Sequence, residues 1–133
     1  MHVKNFYSEG EKMTLNEIIE QYMPSDQAIR DITEFFAVFS HETRIKVISL
    51  LAISPLNVGE IGRALNLNQT TVSHQLRILK DRRIIVGTRR GKEIVYAIAN
   101  EGVNEILFQA VKATESRTET LADLLAKNVS YRR

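Results

Sequence analysis

The segment from Asn57 to Ile98 constrains the fold more than any other, because it joins two short helical patterns and a strand pair with almost no slack between them. Val58, Ile61 and Leu65 recur at helical spacing after Asn57, a residue that can cap a helix N-terminus. Asn66-Leu67-Asn68 breaks the pattern. Asn66 suits the left-handed conformation of a tight turn, and Asn68 can cap the helix that follows. From Gln69 to Leu79, the residues Val72, Leu76 and Leu79 share one face of a 3.6-residue wheel. Thr70, Ser73, His74 and Arg77 share the opposite face, and Gln69 projects from the first turn. After Asp81-Arg82-Arg83, the β-branched run Ile84 to Thr88 reads as a strand. Arg89 to Lys92 reads as a turn in which Gly91 supplies a positive φ, and Glu93 to Ile98 as the returning strand.

Helix, tight turn, polar-faced helix and basic hairpin, in that order, predict a mainly α fold with a β-hairpin wing, a winged helix-turn-helix. The polar face carries residue types suited to contacting duplex DNA. Gln69 can bond an adenine edge, Thr70 and Ser73 can serve base or phosphate, His74 can donate or accept, and Arg77 can pair with guanine or neutralise phosphate. An idle solvated face would more often carry Glu, Lys and Ala than Thr-Thr-Val-Ser-His-Gln-Leu. Arg89, Arg90 and Lys92, placed on one short loop, would lie on phosphates or reach into the minor groove. The plainer reading of the loop is an edge hairpin kept soluble by charge.

Charge follows the same segment. The formal net charge of the chain is only +2, yet residues 63–93 hold eight basic and two acidic residues, while residues 1–34 hold three basic and seven acidic ones. That asymmetry is the footprint of a face that binds a polyanion.

The flanks read as scaffold. Thr14-Leu15-Asn16-Glu17 is a capping-box pattern for a first amphipathic helix with Leu15, Ile18, Ile19 and Tyr22, ending before Pro24. Ser25 and Asp26 can cap a second, with Ile29, Ile32, Phe35, Phe36 and Phe39 on a broad apolar face. Ser40 is expected to cap a third, with Ile45, Ile48, Leu51 and Ala52 inward and Pro55 beyond its end. Asn100 can cap a long final helix whose stripe of Val103, Ile106, Leu107, Ala110 and Val111 continues through Leu121, Leu124 and Leu125.

We read residues 1–133 as a single winged-helix domain: an N-terminal helical extension (1–24), the helix-turn-helix (57–79), the wing (84–98) and a C-terminal dimerisation helix (100–127). One small domain does not need all of these apolar faces, so the N-terminal helices and part of the final stripe are expected to bury against a second copy. A homodimer would present two recognition helices roughly 34 Å apart and prefer a near-palindromic site.

Other functions are excluded or disfavoured by what the chain lacks. It has no cysteine, which removes disulfides, thiolate metal sites and a cysteine nucleophile. There is no phosphate-binding Gly-rich loop, no His-Glu-x-x-His and no plausible Ser-His-Asp cluster, so an enzyme is not expected. No apolar run approaches the roughly 20 residues of a membrane span, and the first ten residues lack the apolar core of a signal peptide, so the expected location is cytoplasmic.

Ser40-His41-Glu42-Thr43-Arg44, Val58 to Leu65, Gln69 to Leu79 and Arg90 to Tyr96 together resemble the ArsR/SmtB family of bacterial repressors, over about residues 32–112. The resemblance implies a dimeric winged-helix protein that sits on operator DNA and leaves it when a metal or other inducer binds. It also implies that Gln69, Thr70, Ser73, His74 and Arg77 make the helix contacts. Its sensing half does not carry over. Family arsenic, cadmium and lead sensors place cysteines where this chain has Asn57-Val58-Gly59-Glu60. Family zinc and cobalt sensors place carboxylates and imidazoles where it has Asn100, Gly102, Ala113 and Ser116, none a good transition-metal ligand. His2 and His41 form no close cluster, and no metal or other cofactor is expected. The leading expectation is a sequence-specific repressor of double-stranded operator DNA whose inducer is unidentified. The alternative is a winged-helix protein-interaction module, which would show no salt-dependent DNA affinity.

Overall fold

The computed structural model describes residues 12–114 and 121–127. In chain order these form α1 (Leu15–Tyr22), α2 (Asp26–Val38), α3 (Glu42–Ile53), α4 (Val58–Leu65), α5 (Gln69–Asp81), β1 (Ile85–Arg90), β2 (Glu93–Ile98), α6 (Glu101–Thr114) and α7 (Leu121–Ala126). The chain divides into two compact units at residues 34 and 35, a point inside α2.

In the first unit, α1 starts as its sequence predicts. Thr14 Oγ1 accepts the Glu17 N–H at 3.2 Å, and Glu17 Oε2 accepts the Thr14 N–H at 2.9 Å, a reciprocal capping box that satisfies two end donors. Ser25 Oγ accepts the Ala28 N–H at the start of α2. α1 contributes no buried residue; Leu15 is 69% exposed, and Ile19, Tyr22, Met23, Ile29 and Ile32 are also open to solvent.

The second unit holds the core. Val38, Val47, Ile48, Leu51, Leu56, Ile61, Val72, Leu76, Leu79, Ile84, Ile85, Val103 and Leu107 form one cluster drawn from the end of α2, from α3, α4, α5, β1 and α6, and from the segments joining them. Each large side chain buried there contributes about 1.5–3 kcal/mol relative to exposure. No polar or charged residue is buried among the described residues, so the core carries no unpaired charge to offset that gain.

Several boundaries differ from the sequence expectation. Ser40 does not cap α3: its hydroxyl donates to the Ala37 carbonyl and closes α2, and His41 occupies the N-cap position without a side-chain bond. On α3 the fully buried residues are Val47 and Ile48, with Leu51 close behind, whereas Ile45 and Ala52 are half-buried. α3 is apolar at seven of its twelve positions, so its sequence presents no single stripe. α6 begins as expected, with Asn100 Oδ1 accepting the Val103 N–H at 3.2 Å. The single long helix expected to follow is instead two helices, and α7 packs against both α6 and α3. Ala122 is buried and Leu121 lies against the core, so this end of the stripe packs within the chain. Ser116 lies outside the described residues.

The hairpin is tighter than predicted. β1 and β2 pair antiparallel from Ile85↔Ile98 to Arg90↔Glu93, leaving a two-residue turn of Gly91 and Lys92 with Gly91 at φ +64°. A third strand position joins them: Leu56 and Tyr96 exchange both backbone hydrogen bonds, at 3.0 and 2.8 Å. No helix among the described residues is long and apolar enough to cross a membrane.

Candidate nucleic-acid interface

The helix-turn-helix is fixed by backbone chemistry at each of its ends. Asn57 and Glu60 form a reciprocal capping box at the start of α4, with bonds of 2.8 and 3.1 Å. At its other end Asn66 adopts φ +55°, ψ +50°, and the N–H groups of both Asn66 and Leu67 turn back onto the Gly62 carbonyl. The turn closes so tightly that a Cβ on Gly62 would stand 2.8 Å from the Leu67 carbonyl oxygen. Asn68 then caps α5, its Oδ1 accepting the Thr71 N–H at 2.8 Å.

α5 presents opposite faces to core and solvent. Val72 and Leu79 are 0% exposed and Leu76 2%, and the helix contacts α3, α4 and β1 through that side. Gln69, Thr70, Ser73, His74 and Arg77 are all exposed and line one shallow groove. On the flank between the two faces, Arg44 Nε of α3 donates to Gln75 Oε1 at 3.1 Å, which ties the rotation of α5 to α3. The helix ends in a Schellman arrangement: the Ile84 N–H reaches Leu79 O and the Arg83 N–H reaches Lys80 O. The left-handed position there is Arg83, at φ +60°, where glycine is usual.

The three basic wing residues are not on one loop as expected. Arg89 and Arg90 are strand residues in β1, opposite Ile94 and Glu93, and only Lys92 belongs to the turn. Consecutive strand residues point to opposite faces, so Arg89 and Arg90 diverge. Lys92 instead shares a second groove with Gln69 at the start of α5 and with Asn57, Val58, Gly59 and Arg63 of the α4 region. The structure thus brings five of the predicted residues together on α5 and joins Lys92 to them through Gln69. Arg63, part of the basic segment but not among the individual contacts expected from the sequence, is a further cation of this surface, an exposed basic residue in the last turn of α4.

The described residues among those that the resemblance aligns with family metal ligands have other roles or no donor atoms. Asn57 and Glu60 are committed to the capping box, Asn100 Oδ1 caps α6, and Gly102 and Ala113 have no donor side chain. Among the described residues, no group of three or more His, Asp or Glu side chains is placed to hold an ion.

The chain is similar to several known transcriptional regulators. A family model described as bacterial regulatory protein, arsR family, matches residues 41–86, from α3 to the start of the hairpin. The chain is 30% identical to the HTH-type transcriptional regulator NmtR of Mycobacterium tuberculosis, an alignment covering 73% of this chain and 81% of that protein. It is 32% identical to a transcriptional repressor SmtB homolog of Synechocystis sp., covering 67% of each. Its fold matches the homodimeric winged helix-turn-helix DNA-binding domain of a protein from Mycobacterium bovis described as a possible ArsR-family regulator. That match has a TM-score of 0.62 at 24% identity and covers 73% of this chain and 94% of the other. A helix-turn-helix with a hairpin wing, matched by these relatives, identifies the chain as a member of the ArsR/SmtB family of DNA-binding transcriptional regulators.

Proposed function

We propose that the protein is a homodimeric repressor that lays α5 in the major groove of a near-palindromic operator. Gln69, Thr70, Ser73, His74 and Arg77 would read base edges and hold phosphates, while Arg89, Arg90 and Lys92 of the wing rest on the neighbouring backbone. The observation that carries this reading is the division of α5: five polar side chains exposed along one groove, with Val72, Leu76 and Leu79 holding the helix to the body from behind. A duplex-binding regulator works where the chromosome is, so the protein acts in the cytoplasm.

Dimerisation is supported by the open apolar residues of α1 and α2, Leu15, Ile19, Ile29, Ile32 and Phe36 among them. It is supported also by the homodimeric state of the Mycobacterium bovis domain. The inducer in this proposal is not a metal at the usual family positions, because neither thiolates nor a carboxylate and imidazole set stands there.

The test begins by selecting a preferred duplex from a random pool and comparing it with random-sequence DNA in an anisotropy titration. Arg77→Ala and Ser73→Ala should weaken operator binding by ~1–3 kcal/mol where the contact is a base edge and relax base preference, whereas Lys92→Ala should weaken all sequences alike. Equal losses on both duplexes for all three variants would remove the recognition-helix assignment. Absence of any salt-dependent DNA affinity would favour a protein-binding module instead.

A further inference from the structure

We infer that the groove between α4, the first turn of α5 and the wing is a binding site for a phosphodiester of the DNA backbone, with Arg63 as its principal cation. The inference rests on the DNA-binding reading above and adds a contact outside both the recognition face and the hairpin tip.

Three observations place the site. Asn57, Gly59, Arg63, Gln69, Lys92 and Glu93 line one groove, so a cation of α4 and a cation of the turn flank Gln69, the residue with which α5 begins. Second, the Arg63 guanidinium is laid back along α4 rather than extended away from it. A Cβ built on Gly59 would meet Arg63 Nη1 at 3.2 Å, Arg63 Cζ at 3.9 Å and Asn57 Oδ1 at 3.5 Å. The missing side chain of Gly59 is therefore the seat of the guanidinium, and any larger residue would compete for it. Third, Arg63 and Lys92 are both exposed, so neither cation must be withdrawn from the interior to meet a ligand.

The chemistry of the lining selects an extended polyanion over a free carboxylate. Glu93 lies in the same groove, which weakens the attraction for a small mobile anion; its register partner on β1 is Arg90, a cross-strand pair of opposite charge. A DNA strand held by α5 is already fixed in place, and the first helix of a helix-turn-helix crosses the backbone beside the groove that the second one enters. Arg63 on α4 stands where that crossing occurs and offers a planar donor fork to phosphate oxygens.

The experiment follows affinity for operator and random duplexes across a range of salt, using the full chain and the variants Arg63→Gln, Arg63→Lys, Gly59→Leu and Arg77→Ala. Arg63→Gln should lose the same factor on both duplexes, and its slope of log affinity against log salt should flatten by about 0.9 for each bound subunit. Gly59→Leu should flatten the slope likewise although the arginine is still present, and Arg63→Lys should keep it. Leucine at an exposed helical position favours the helix, so Gly59→Leu separates loss of contact from loss of fold. A wild-type slope in Arg63→Gln or Gly59→Leu, or a changed preference between the two duplexes in either, overturns the inference. Failure of Arg77→Ala to relax operator preference would instead count against the parent reading of α5.

Discussion

Two glycines on one short helix should respond to the same substitution with opposite sign. Gly59 lies in the first turn of α4 and Gly62 in its middle, and replacing a helical glycine with alanine stabilises a protein by up to about 0.5–1 kcal/mol, most in the helix interior. At Gly59 the one tight contact of the new methyl is with the end of a flexible side chain, Arg63 Nη1 at 3.2 Å, which can move aside, while Asn57 Oδ1 at 3.5 Å is at ordinary contact distance. Gly59→Ala should therefore keep most of that gain. At Gly62 the methyl would stand 2.8 Å from the Leu67 carbonyl oxygen, and that oxygen belongs to a backbone turn held by the 2.9 Å bond from Leu67 N–H to Gly62 O. Ordinary contact begins at 3.4 Å, so the turn must open by about half an ångström or the helix must shift. Overpacking of this kind costs about 1–3 kcal/mol, so after the helix-propensity gain Gly62→Ala should be destabilised by up to about 2 kcal/mol, and the two variants should differ by about 1–3 kcal/mol. Urea denaturation followed by circular dichroism measures both against the parent at equal m-value. Because the displaced turn sets the start of α5, Gly62→Ala should also weaken operator binding more than random-duplex binding. Equal stability of the two variants would refute the argument that close approach, rather than chance, put glycine at position 62.

Further outcomes are expected from the same structure. Asn66→Ala should lose about 1 kcal/mol and Arg83→Gly should gain about as much in the same denaturation assay, since both positions are left-handed and asparagine tolerates that conformation while arginine does not. Leu15→Glu combined with Ile19→Glu should raise the monomer fraction in sedimentation velocity, because both are exposed apolar side chains of α1. An unaltered sedimentation profile would remove α1 from the dimer interface. Glu93→Gln should tighten binding to operator and random DNA by a similar factor, read by anisotropy, because it removes the one carboxylate in the groove that Arg63 and Lys92 line.

What could be read from the sequence was what has a short period or a fixed chemical grammar. Val72, Leu76 and Leu79 against Thr70, Ser73, His74 and Arg77 is a helical alternation, and Asn57, Asn66 and Asn68 stand at their caps and turn because their side chains suit those positions. The misplaced features lacked such a signal. Arg89 and Arg90 look like loop residues because they are charged, but an exposed hairpin edge tolerates charge, and only the positive φ of Gly91 marks where the chain reverses. The helix of Ile45, Val47, Ile48, Leu50, Leu51, Ala52 and Ile53 is apolar nearly all round, so its inward face depends on what surrounds it. The packing of α7 on α6 and α3 is a tertiary choice, as is the guanidinium seat at Gly59, which leaves no trace beyond a glycine four positions before an arginine.

The paired hydrogen bonds between Leu56 and Tyr96 join the residue just ahead of α4 to the middle of β2. A hairpin attached only at its base could swing like a door; one clasped at mid-length cannot. The gap between Lys92 and the start of α5 is thereby built in during folding, as the jaws of a caliper are locked before measuring. If Lys92 and α5 hold DNA as proposed, duplexes whose backbone lies at that gap would be accepted with little further ordering, and those requiring a wider or narrower opening would be refused by geometry before any base is read.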